Sequence, residues 1–135
     1  GNVAAAEAAF RAGVSSDPDS IEAHVALAQF FQRTGRPADA EQELTALVAK
    51  NPSSELANRS LAALYIAGGR RAEAEPYMRA AAAQTTQKLR SALALADFYV
   101  ADHRDADARA VLEAAATGPL GDLAKARLAA LNTKE

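Results

Sequence analysis

A repeat of about 34 residues constrains this chain more than any other feature. Thr34-Gly35-Arg36-Pro37-Ala38-Asp39-Ala40-Glu41-Gln42-Glu43-Leu44 reads as a tight turn that opens into a helix. Gly35 admits left-handed backbone without steric cost. Pro37 has its φ preset for a first helical turn and no N–H to waste there. One period on, Gly69-Arg70-Arg71-Ala72-Glu73-Ala74-Glu75 repeats the shape, and the next period gives His103-Arg104-Asp105-Ala106-Asp107-Ala108-Arg109. A fixed period of this length marks stacked helical units, none of which can bury its apolar face alone.

The columns agree with the period. Leu27, Leu61 and Leu95 share one position, and Ala28, Ala62 and Ala96 the next. Phe31, Tyr65 and Tyr99 form an aromatic column, Ala40, Ala74 and Ala108 a small one, and Leu44, Met78 and Leu112 close the set. Apolar residues at helical spacing predict helices over 3–14, 20–33, 37–50, 54–67, 71–85, 88–101, 105–116 and 121–131. Asp19 with Glu22 resembles a capping box at the start of the second. Pro76 falls several residues inside the fifth, so that helix is expected either to start nearer Glu73 or to bend. No strand-like alternation occurs.

These residues resemble the tetratricopeptide repeat, a helix–turn–helix of about 34 residues. That family places Leu and a small residue in mid-first-helix, an aromatic soon after, a small residue early in the second helix and a closing Pro, here Pro52. The resemblance implies an all-α, right-handed α-solenoid of about eight helices in a single domain, 1–135. It implies full units at 21–54, 55–88 and 89–122, the second half of a partial unit at 1–20 and a terminal or capping helix at 123–135. The sequence departs from the family in detail. The family's Trp-like column holds His24, Asn58 and Ala92, His103 replaces a turn glycine, Thr86 replaces the second closing Pro, and Pro119 comes one residue early.

Composition fits that architecture. The chain holds 37 alanines, enough to give strong helix propensity and close helix approach. Net charge is −2 with both signs dispersed, which argues against a nucleic-acid partner. With no cysteine, disulfides and thiolate metal sites are excluded. No apolar run is long enough to span a membrane. Eleven arginines against four lysines suggest a GC-rich bacterial genome. The opening Gly1 in place of Met, with no signal peptide visible, suggests a domain taken from a longer protein, and leaves cytoplasm and periplasm both open.

By the resemblance, the first helices line a concave groove that binds peptides. Its groove-facing residues would be Glu22, Val25, Ala26, Gln29, Gln32 and Arg33 in the first full unit, with Leu56, Arg59, Ser60, Ala63 and Ile66 in the second. Arg90, Leu93, Ala94, Asp97 and Val100 would follow in the third. Arg59 and Arg90 are the strongest candidates for ligand contact. One subclass grips a chaperone's C-terminal carboxylate with Lys and Asn; here those positions read Val25, Gln29, Ser60, Arg90 and Ala94, so no such clamp is expected. His24 is expected to pack against a neighbouring helix, His103 to sit in a solvated turn, and Arg70-Arg71 to be a surface pair. No nucleophile motif, phosphate loop, metal-binding helix motif or acid–base pair occurs, so neither enzyme activity nor a cofactor is expected. The function implied is a non-catalytic scaffold for a protein or peptide. The alternative is stacking on the rest of a longer solenoid or on another copy, since an incomplete first unit would leave residues such as Phe10 exposed.

Overall fold

The structure is a computed structural model and describes residues 1–83, 88–117 and 121–133. Among the described residues there are eight helices and no strand. They are α1 (Asn2–Ser16), α2 (Ile21–Arg33), α3 (Pro37–Lys50), α4 (Glu55–Ala67), α5 (Arg71–Ala82), α6 (Lys88–Ala101), α7 (Asp105–Ala115) and α8 (Gly121–Asn132). The expected helix end at Thr85, the Thr86 substitution and the break at Gly118-Pro119 lie outside the described residues.

The cap of α2 differs from expectation. Ser20, not Asp19, caps α2: its backbone is extended and its hydroxyl accepts from the Ala23 amide at 3.2 Å. Ser54, one period later, caps α4 the same way, accepting from the Ala57 amide at 3.1 Å. Helix α5 starts at Arg71, as the spacing predicts, and not at the alternative start nearer Glu73, with the Arg70 carbonyl already accepting from the amides of Glu73 and Ala74. Pro76 therefore stands inside the helix, where the Ala72 carbonyl loses its intrahelical donor; both residues are exposed, so water can take that bond.

The three turns share one geometry. Gly35 and Gly69 have φ of 76° and 73°, and His103 enters the same left-handed region at 57°. In each turn this residue's amide reaches back to the helix, Gly35 to Gln32, Gly69 to Ile66 and His103 to Val100. The following arginine closes a longer ring: Arg36 donates to the Phe31 carbonyl at 2.8 Å, Arg70 to Tyr65 at 2.8 Å and Arg104 to Tyr99 at 2.9 Å. This pair of bonds satisfies the last orphan carbonyls of a helix, and it fixes the angle at which the next helix leaves.

The chain divides into two compact units, Gly1–Tyr77 and Met78–Glu135. In the first, α1 packs on α2, α2 on α3 and α4, and α3 on α4. Its core holds Leu27, Ala28, Phe31, Leu44 and Leu61. In the second, α6 packs on α7, α7 on α8, and α6 also meets α8, around Leu95, Ala96, Tyr99, Leu112 and Leu131. The small column is fully enclosed, Ala40, Ala74 and Ala108 all at 0 % exposure, so a larger side chain there has nowhere to go. Gly121 opens α8 against the Ala116 carbonyl, whose oxygen would lie 2.1 Å from any added Cβ.

Candidate functional site

The first helices of the first unit enclose a cleft. Val25, Ala28, Gln29 and Gln32 of α2 form one wall, Leu56, Arg59, Ser60 and Ala63 of α4 the other, and Leu44 of α3 closes the base. Its volume is about 210 Å³. Val25, Ala28 and Leu44 are buried, Leu56, Arg59 and Ser60 half-buried, and Gln29, Gln32 and Ala63 exposed, so the floor is apolar and the rim largely polar. The Ser60 hydroxyl donates to the Leu56 carbonyl at 2.7 Å, leaving its acceptor side open. Among the described residues Arg59 makes one bond, Nη1 to Glu55 Oε1 at 3.2 Å, one turn back on its own helix.

Of the residues named from sequence, Val25, Gln29, Leu56 and Arg59 thus come together, with Gln32, Ser60 and Ala63. Val25 is only 6 % exposed, so it is floor rather than lip. Arg33 is exposed and Ile66 half-buried, and neither lines the cleft. In the second unit Asp97 and Val100 line a smaller cleft of about 80 Å³ with Ala96, Leu112, Arg127 and Leu131. Arg90 is exposed and Leu93 half-buried, and neither lines it. Asp97 spans that cleft to Arg127, with oxygens 3.0 and 3.2 Å from the two terminal nitrogens.

Sequence reasoning missed the arginine column. Arg36, Arg70 and Arg104 lay their guanidinium groups over the rings of Phe31, Tyr65 and Tyr99, 4.6, 4.5 and 4.5 Å from the centroids. Each also bonds an acid three residues on, Asp39, Glu73 or Asp107, at 2.6–2.7 Å. In the first unit they reach across to the preceding second helix as well: Arg36 to Glu7 at 2.7 Å and Arg70 to Glu41 at 2.6 Å. Hydrogen bonds from Arg70 hold the carboxyls of Glu41 and Glu73 below the ordinary range. Arg70 is therefore a structural clamp, not one of a pair of idle surface charges. The visible signal was the arginine that follows each left-handed turn residue.

The polar column is structural too. His24 Nδ1 meets Glu43 Oε1 and its Nε2 meets the Pro18 carbonyl at 2.9 Å. Burial pulls the imidazole pKa down, but the bonds to Glu43 and Pro18 and the Glu43 charge outweigh burial and the opposing Lys50, so it is raised. Asn58, 1 % exposed, does the same work without a charge, donating to the carbonyls of Pro52 and Ser54 at 2.9 and 2.8 Å. Among the described residues no cluster of His, Cys, Asp or Glu has a metal-binding arrangement, and no helix is long and apolar enough to cross a membrane.

Residues 1–65 match the tetratricopeptide repeat family. None of the curated proteins matches the sequence. Among solved structures, a thermophilic tetratricopeptide-repeat protein of Thermus thermophilus, TTC0263, is 20 % identical, with a TM-score of 0.69 over 97 % of this chain and 73 % of that one. The type III secretion translocator chaperone SycD of Yersinia enterocolitica is 21 % identical, with a TM-score of 0.62 over 87 % of each chain. MamA is 21 % identical, with a TM-score of 0.63 over 82 % of this chain; the chain spans only 65 % of MamA's length. At such identities the likeness is one of fold, that of an all-α solenoid of helical hairpins.

Proposed function

We propose that this chain, a tetratricopeptide-repeat domain, is a non-catalytic scaffold that holds a peptide or partner segment along the first helices of its repeats. The observation that carries the reading is the α2/α4 cleft. It joins an apolar floor to the hydrogen-bonding side chains of Gln29, Gln32, Arg59 and Ser60, as segment recognition requires. The neighbouring structures support it as an analogy of fold, since one is a type III secretion translocator chaperone. The test is selection of displayed peptides on the immobilised chain, followed by Leu56→Glu. Selected peptides should lose binding to that variant while its circular dichroism stays helical. Retained binding would move the site elsewhere, and turnover in a hydrolase or transferase panel would contradict the non-catalytic reading.

A second reading is favoured by α1. Val3 is 60 % exposed, and Ala6 and Phe10 are half-buried where their column mates Ala40 and Leu44 are enclosed. That face suits stacking on a further helix, whether of a longer solenoid or of another copy. Light scattering across a concentration series tests the copy-to-copy form, which a strict monomer at high concentration would exclude.

A further inference from the structure

The two clefts occupy equivalent places in the repeat and differ in one decisive pair. Ala28 and Ala96, Gln29 and Asp97, Leu44 and Leu112, and Arg59 and Arg127 each stand two periods apart. In the second unit the Asp97 carboxylate takes both terminal nitrogens of Arg127 and bridges the cleft. In the first unit the arginine is kept and the acid facing it is replaced by the amide of Gln29. Among the described residues Arg59 engages Glu55 alone, through one nitrogen, out of the five N–H donors of a guanidinium.

We propose that the α2/α4 cleft takes an extended peptide segment with an internal acidic side chain, whose carboxylate meets Arg59 as Asp97 meets Arg127, beside an aliphatic side chain in the cavity. This deepens the groove reading above and rests on it. Gln29 and Gln32 are exposed and their side-chain amides make no hydrogen bond among the described residues, so these amides are available to donate to and accept from a peptide main chain. The cavity, at about 210 Å³, exceeds the ~150 Å³ that accepts a benzene ring in an apolar protein interior. The second cleft, at about 80 Å³ and bridged by its own ion pair, has neither the room nor the open cation. Glu55 offsets part of the Arg59 charge. Asp97 reaches its arginine from a side chain, so an internal acid is its nearest analogue.

The probes are fluorescent decapeptides of serine and glycine, capped at both ends, holding one leucine and one glutamate at separations of one to four residues. Anisotropy gives affinity, and side-chain amide signals of Gln29 and Gln32 report the location. At least one separation should bind at the cleft, and glutamine in place of the peptide's glutamate should weaken it about tenfold, the worth of one charge-assisted pair. Arg59→Gln should erase that difference. Gln29→Asp, which rebuilds the internal pair of the second unit, should erase it too, with the urea midpoint unchanged or raised. A neutral peptide that binds at the cleft as well as the acidic one overturns the acid assignment and leaves the groove standing. An uncapped neutral peptide that matches the acidic one overturns the internal source. No perturbation of Gln29 or Gln32 by any peptide overturns the inference and the groove together.

Discussion

His103 sits with φ at 57° where its counterparts Gly35 and Gly69 sit at 76° and 73°. A side chain there costs about 1–2 kcal/mol, and glycine's freedom in the unfolded chain returns part of the gain. His103→Gly should therefore stabilise the protein by about 0.5–1 kcal/mol, and Gly35→Ala should destabilise it by at least as much, both read from urea midpoints. His24 carries the other residue-scale prediction. Both ring nitrogens face acceptors, an arrangement that only the imidazolium satisfies fully. Its pKa is raised in the fold, so its contribution is present below the unfolded value near 6.5 and is lost as pH climbs through the raised folded value. In His24→Asn, which copies Asn58, the loss of stability from pH 6 to pH 8.5 should shrink; an unchanged loss would mean His24 is not its source. The sequence placed His24 and Asn58 in one column of the repeat but not their bonds. Glu43 is 19 residues from His24, and only the closed hairpin brings the two together.

At the scale of the helix, the three turns are the common joint. Each couples a left-handed residue, an arginine amide that closes the helix end and a guanidinium laid on the ring five residues back. Arg70→Lys keeps the charge but loses the planar stack and the paired bonds to Glu41 and Glu73, so it should lower the melting temperature. An unchanged melting temperature would reduce Arg70 to an ordinary surface charge. Gly121→Ala drives a Cβ to 2.1 Å from the Ala116 carbonyl and should cost about 2–3 kcal/mol in urea unfolding. The period made the turns legible, because Gly35 and Gly69 are strong local punctuation. It did not make the arginine stacks legible, since arginine beside a turn is common, and only the folded ring positions give it a role. Pro76 was legible as a problem but not in its resolution: Ala72 is exposed, so water can replace the missing bond and the helix need not start later.

For the whole molecule, the repeat phase and the family it resembles indicated which faces meet. Val25, Gln29, Leu56 and Arg59 were expected on one groove by that resemblance, and they line one cleft in the first unit. Leu44 at the base was read only as core, because a second-helix residue reaches the cleft through the packing of α3 under α2 and α4. Arg33, Ile66, Arg90 and Leu93 share the expected helices but line neither cleft, since position along a helix sets depth as well as face. We propose that partner binding belongs to these first helices and not to the turns. A backbone amide titration of the intact chain with a selected peptide tests it most directly. The largest shifts should cluster on α2 and α4 around Gln29, Gln32, Arg59 and Ser60. Shifts centred on Gly35 and Gly69, with those four residues unmoved, would contradict it.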